Sequence, residues 1–504
     1  MTVTRRTPAL LLALATATTL CAAPAVAAAT PRTFSPGAPG AGDPYFPDMG
    51  NGGYDVQHYD LHLAFHPADH SITATTVITA RATQNLSRFD LDLQGLKVGS
   101  VAVDGRSASF RRTGAQELVI TPANGLLKGT YFTVTVRYGG VPKRIDDPAL
   151  GTSGWITTKD GAIGLNQPFG AATYYPVNDT PKDKATYTQT VTVPRNLQVI
   201  ANGQPSAVVK HGNQSTYRWT MNQPMASELA SIAIGKYNVT RSTLTVGGRT
   251  LPNITAIGTS IDTAPGHDAT FNATTARVVG WESSMYGAYP FSSTGGIIDD
   301  IGAGYALEVQ GRPVYDQPDS TVDGDLLAHE LGHQWFGDSV TPKTWADIWL
   351  NEGFATYSEW LWQERFRGIP VAASAKQAYD GEHDWSGKVA SPGRDHIFDD
   401  LVYTRGALTL QALRLKIGDA AFFRLLRAWP TAHRYGNADT ADFIAFTERL
   451  TGKNLNGFFH TWLYSAGKPS LPLPSNTLPS NSPTFDGPAR TERLQVSGAR
   501  HVTH

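Results

Sequence analysis

The spacing of apolar residues changes period part-way along this chain, and that change limits the architectures open to it. From residue 45 to about 240, apolar residues alternate with polar ones, as at Tyr59, Leu61, Leu63 and Phe65 in YDLHLAF and at Phe132, Val134 and Val136 in FTVTVRY. Successive side chains of a strand point to opposite faces, so alternation marks half-buried strands. Further segments of this kind (TVITARA, TYTQTVTVP, STYRWTM, SIAIGKYNV) are separated by Gly, Asn and Pro turns and predict an antiparallel β domain over 45–240. After about residue 265 the spacing turns helical, in ATTARVVGWESSMYGAYP, DGDLLAHELGHQWFGD, ADIWLNEGFATYSEWLWQERF and RGALTLQALRLKIGDAAFFRLLRAW. Strands segregated from helices define the α+β class, with a mainly helical second domain over 241–472. No fixed-period repeat is visible, which argues against a solenoid or propeller.

With 504 residues, the chain is too long for one ordinary core and suggests two or three domains. Its net charge of -1 gives no electrostatic reason to expect nucleic acid or an anionic membrane as partner. Arg5 and Arg6 precede PALLLALATATTLCAAPAVAAA, an apolar run closing on small residues, so 1–29 reads as a signal peptide cut after Ala27 or Ala29. The paired arginines suit the general or the twin-arginine export route. An uncleaved membrane anchor is the other reading, but Thr and Pro interrupt the run and it is short for a span. The expected location is outside the cell. Cys21, the sole cysteine, lies inside that segment, so the mature chain has no thiol to act as nucleophile or zinc ligand. A Pro/Ser/Asn-rich tail over 473–504 reads as disordered.

The chemistry concentrates in LLAHELGH. Within a helix expected over Asp325 to Asp338, His329 and His333 share one face, because residues four apart have Cβ atoms about 5–6 Å apart. Two imidazoles so placed can reach one ion. Glu330, pointing differently, suits a general base acting on water held by the metal. Paired histidines on a polar helix face are the bland alternative, and two ligands leave zinc short. A third comes from Glu352, separated from His333 by eighteen intervening residues at the start of a second helix-like segment, which completes a two-His, one-Glu set. Favouring the dipole of its own helix is the structural alternative for Glu352.

The segment HELGHQWFGDSVTPKTWADIWLNEGFATYSEW resembles the zinc-binding segment of the aminopeptidase N family, the thermolysin-like gluzincins. The likeness runs through Gln-Trp-Phe-Gly after His333, Trp345 and the run Trp349 to Ala355, and extends upstream to NQPFGAATYYPVNDTPKDKATYTQTVTVP. It covers most of residues 50–470. The resemblance implies one Zn2+ ion held by His329, His333 and Glu352. It also implies a glutamate that binds the substrate's free α-ammonium group, matched by Glu308 in YALEVQ, although Tyr305 and Val309 replace the family's usual Gly and Asn. Gln167 falls at a second amine contact, and Tyr403 in LVYTRGALTL matches the tyrosine that supports the oxyanion, with Arg405 in place of Lys. The structural alternatives are a strand or surface role for Glu308 and a core role for Tyr403. Many relatives continue into further domains that this chain lacks room for, so a comparatively open cleft is expected. The reading is thus a secreted zinc aminopeptidase acting on peptides or polypeptides with a free N-terminus. A zinc endopeptidase and a non-catalytic peptide-binding relative are the alternatives.

Overall fold

The computed structural model describes residues 1–4, 32–316 and 322–471; the segments read as signal peptide and tail lie, apart from residues 1–4, outside the described residues. Alternation does what the sequence suggests in the strand Tyr54–His66, where Tyr59, Leu61, Leu63 and Phe65 are all buried. This strand sits inside a nine-stranded sheet and pairs antiparallel with Ser71–Ala82, which in turn pairs with Tyr131–Gly140. The sheet is not wholly antiparallel as expected, because Tyr54–His66 runs parallel to Ala185–Pro194, with Gln189 opposite Leu61. Alternation reports which face is buried but is the same for either strand direction. Against this sheet packs a five-stranded one containing Gly151–Thr157, Ala162–Leu165 and Ile232–Gly235, and their apolar faces share one core.

Segment SIAIGKYNV, read as one strand, is divided between two sheets. Ile232–Gly235 closes the β-domain sheet, and Tyr237–Val246 opens another with Arg249–Gly258, Thr294–Asp299, Val314–Asp316 and Ala306–Leu307. The chain therefore changes sheets at Lys236, and a boundary at 240/241 falls inside a strand. Helix α1 (His267–Tyr286) links the parallel strands Arg249–Gly258 and Thr294–Asp299. The helical reading of the second half overlooked this sheet. Thr294–Asp299 is buried at every position, so it shows no alternation, and a Cβ at Gly295 would lie 1.8 Å from the Ile254 carbonyl oxygen.

Among the described residues, the longer helices that follow are α2 (Gly324–Gly332), α3 (Trp349–Arg367), α4 (Val371–Gly381), α5 (Asp400–Ile417), α6 (Asp419–Ala432) and α7 (Thr440–Thr451). They enclose a second core rich in aromatic residues, in which Phe354 stacks on Phe336 and meets Phe443 edge-on. Among the described residues, no helix is long and apolar enough to cross a membrane.

Candidate active site

Asp323 caps α2, accepting from the backbone N–H groups of Asp325 and Leu326, while Leu327 and Leu331 anchor the helix in the core. The helix ends at Gly332, not at Asp338 as the spacing predicted, because the next bonds tighten, with Gln334 N–H donating to the Leu331 carbonyl and Trp335 N–H to that of Gly332, both at 3.1 Å, and Gly337 takes a φ of 130° that no helix accommodates. His333, its C-cap residue, still donates its backbone N–H to the His329 carbonyl at 3.2 Å, so the two imidazoles keep helical spacing. On α3, Glu352 lies in the first turn and faces them. Packing against α5 is close there: a Cβ on Gly353 would approach the Gly406 backbone to 2.9 Å. That proximity brings Tyr403, in the first turn of α5, over the site with its ring 6.1 Å from that of His329.

The Glu352 Oε2 atom lies 3.5 Å from His329 Nε2 and 3.4 Å from His333 Nε2. Those separations exceed the usual N–H···O distance of about 2.7–3.2 Å. They match the roughly 3.4 Å expected between atoms that bind one zinc ion tetrahedrally at about 2.0–2.1 Å. The imidazoles are also turned for such a role. His329 Nδ1 is 2.6 Å from Glu359 Oε1, and His333 Nδ1 donates to the Phe336 carbonyl at 3.1 Å, which leaves both Nε2 atoms facing Glu352. The residues present therefore fit a zinc ion. Glu359 was not singled out from sequence, although its position seven residues beyond Glu352 places both on one face of α3.

These side chains line a cleft of about 790 Å³ that also exposes Glu308, Glu330, Tyr403 and Gln167. Among the described residues its lining has no Lys or Arg, while Glu308, Glu330, Glu352 and Glu359 are all buried in it. Such a concentration of carboxylates in low dielectric requires cationic partners. Burial pushes the Glu330 carboxyl up to about 8 against the pull of His329 and His333, and its Oε2 has no hydrogen-bond partner. Burial would raise Glu352 too, but His333 and His329 outweigh it and hold it down at about 2. Burial, reinforced by Glu352, Glu308 and Glu330, pushes the Tyr403 hydroxyl well above its usual range, so it stays a protonated donor.

Glu308 follows the short strand Ala306–Leu307, and its Oε1 accepts from Gln167 Nε2 at 2.6 Å, joining residues 141 positions apart. One oxygen or nitrogen from each of Glu308, Glu330 and His333 falls within 4.8 Å of the others. Gln334, quoted above only as part of a motif, is fully buried and staples this region. It donates to the Glu308 carbonyl at 3.2 Å and accepts from Gly311 N–H at 2.7 Å. Val309, at the family's Asn position, is buried in the β-domain core, and Tyr305 lines the cleft. All seven residues singled out as ligands, catalysts or amine contacts thus border one cavity.

Residues 55–229 match the Peptidase M1 N-terminal domain, and residues 317–462 match the Peptidase family M1 domain. An M1 zinc metallopeptidase from Deinococcus radiodurans, solved as a Glu-to-Ala mutant bound to a Tyr-Ser-Ala substrate, is similar with a TM-score of 0.79 and 31% identity. The match covers 86% of this chain and 100% of that one. The chain belongs to peptidase family M1. Within the family it is 26% identical over 455 residues to aminopeptidase N of Lactococcus lactis subsp. lactis, covering 82% of this chain and 51% of that protein. Against the probable aminopeptidase 2 of Sulfurisphaera tokodaii it is 26% identical over 407 residues, 75% of this chain and 50% of the relative. The chain thus spans about half the length of the curated relatives it matches. The resemblance read from HELGHQWFGD and WLNEGFA, and the α+β class with a β-rich domain ahead of a helical one, both hold.

Proposed function

We propose that this M1 family member is a secreted aminopeptidase that uses one zinc ion to remove N-terminal residues from peptides. The observation that carries the reading is the buried Glu308 carboxylate, bonded to Gln167 and within 4.8 Å of Glu330 and His333. A carboxylate so close to the bond-breaking groups pairs with the α-ammonium of a bound substrate, and leaves no room for residues upstream of the first. In an endopeptidase the same carboxylate would face a neutral peptide and stay buried without a cation, which is costly.

His329, His333 and Glu352 hold the metal, while Glu359 and the Phe336 carbonyl fix the imidazole orientations. When bound, zinc supplies Lewis acidity, making water a better nucleophile near neutral pH and polarising the scissile carbonyl. Glu330 takes a proton from the attacking water and passes it to the leaving amine. Tyr403 donates its hydroxyl hydrogen to the carbonyl oxygen as negative charge develops there. Glu308 and Gln167 grip the ammonium, so the scissile bond is always the first in the chain. The Deinococcus relative bound to a tripeptide supports a substrate of this class. Export rests on the leader pattern over 1–29, and sequencing the mature N-terminus from culture medium checks it.

The deciding experiment compares an alanyl or leucyl anilide with its N-acetylated twin, with and without a chelator. Cleavage of only the unblocked compound, abolished by the chelator and restored by added zinc, is the expected result. Equal cleavage of both would replace this reading with that of a zinc endopeptidase.

A further inference from the structure

Tyr305 occupies a position where the family resemblance leads one to expect glycine, and none of the steps above uses it. It issues from a rigid loop. The backbone N–H groups of Ile301, Gly302, Ala303 and Gly304 all donate to the Asp316 carboxylate, at 2.8, 3.1, 2.6 and 2.6 Å. Immediately after Tyr305, the strand Ala306–Leu307 pairs with Val314–Asp316, so the residue is fixed on both sides. Its ring packs against the β-domain core, and its hydroxyl donates to the Thr152 carbonyl in the strand Gly151–Thr157. The ring nevertheless remains half-buried and lines the cleft beside Glu308.

Two other apolar side chains line the cleft from segments tied to the same place. Leu150 sits in the turn between Asp147 and Thr152. Asp147 accepts from the N–H groups of Ala149 and Leu150 at 2.9 and 3.2 Å, and the Arg394 guanidinium pairs with its carboxylate. Arg394 thereby brings in the loop that carries Phe398, which is also half-buried and lines the cleft. The charges of this region are matched within it, Arg394 to Asp147 and Arg144 to Asp146. Leu150, Tyr305 and Phe398 thus line one cleft with Glu308 and Gln167, Tyr305 held to the strand Gly151–Thr157 by Thr152 and the loops of Leu150 and Phe398 joined by the Asp147–Arg394 pair.

We propose that Tyr305 is a specificity-determining residue: with Leu150 and Phe398 its ring forms an apolar wall that receives the side chain of the substrate's N-terminal residue and favours bulky apolar or aromatic ones. This rests on the aminopeptidase reading, which places the first residue beside Glu308. A fixed ring offers an aromatic side chain an offset or edge-to-face contact without the entropic cost of ordering a mobile one. Alanine at the substrate N-terminus leaves that surface unused.

The test is a calorimetric titration of the full-length, zinc-loaded protein in a Glu330→Gln background, with Phe-Ala-Ala and Ala-Ala-Ala as probes. The expected preference for Phe-Ala-Ala is about tenfold. Tyr305→Gly should reduce it to about twofold, whereas Tyr305→Phe, which keeps the ring, should hold it within about twofold of the parent. Should Tyr305→Gly not fold, Phe398→Ala reads the same wall from another segment and should lower the same ratio. An unchanged Phe-to-Ala ratio in the folded Tyr305→Gly protein, or in Phe398→Ala where that variant is needed, overturns the proposal. N-acetyl-Phe-Ala-Ala in the same titration separates the two ideas. If it binds as well as the free peptide, the amine-binding reading fails, and the Phe-to-Ala ratio still judges the wall.

Discussion

The cleft has two halves built on different principles. The metal cradle we propose comes from two neighbouring helices and a stretch of 24 consecutive positions, His329 to Glu352, with side-chain spacing set by helix geometry and a glycine contact. The amine pocket we propose has no local origin: Gln167 comes from the β domain and Glu308 from the edge of a different sheet, and they meet through one 2.6 Å hydrogen bond. The cradle depends on local helical structure. The pocket depends on how two domains are held together, so perturbations should separate the halves: one set of changes alters metal or chemistry and leaves amine selection alone, and another does the reverse.

The largest expected effect tests the catalytic group next to the cradle. Glu330→Gln removes the base while preserving shape, and should lower kcat by about 10²–10⁴-fold with zinc stoichiometry by metal analysis unchanged. Loss of zinc together with activity would mean that Glu330 is itself a ligand. Next comes the pocket. Glu308→Gln should lower kcat/KM for unblocked anilides by about 100-fold, in line with the ~3 kcal/mol lost when one partner of a buried charge pair is truncated. Its zinc content should stay at the parent value, and turnover of N-acetylated substrate should not fall further. If zinc were lost together with activity, the two halves would not be separable and Glu308 would belong to the cradle.

The same contrast explains what could be read from the sequence. His329, His333, Glu330 and Glu352 are legible because a four-residue step and a helix start translate directly into geometry, even though α2 stops six residues earlier than its pattern suggested. Glu359 was missed, although the same helical arithmetic places it on the Glu352 face of α3. Gln167 and Glu308 were reached through resemblance alone, since no spacing rule connects residues 141 positions apart. The β strands with one exposed face announced themselves by alternation, as in Tyr54–His66. Thr294–Asp299 did not, because a strand buried on both faces carries no period. Parallel pairing of Tyr54–His66 with Ala185–Pro194 was invisible for a related reason: direction is decided by the path of the intervening chain.

Smaller effects sharpen the comparison. Glu359→Gln keeps a hydrogen-bonding group on His329 Nδ1 but removes its charge, and zinc affinity measured by competition with a chromophoric chelator should weaken by about 10–100-fold. At saturating zinc, KM for unblocked substrate should match the parent, since the amine pocket is untouched; a raised KM would show that the cradle sets the pocket. Gln167→Ala is the smallest and the most informative. It removes a neutral donor from Glu308, a bond worth about 1 kcal/mol in typical cases, so kcat/KM for unblocked anilides should fall only about fivefold. Combined with Glu308→Gln it forms a double-mutant cycle. If Gln167 acts by orienting the Glu308 carboxylate, its loss should cost almost nothing once that carboxylate is gone, and the two effects should fall short of additivity by about 1 kcal/mol. Full additivity would mean that Gln167 meets the substrate ammonium independently, so that the β domain supplies a recognition group in its own right and not only a support for Glu308.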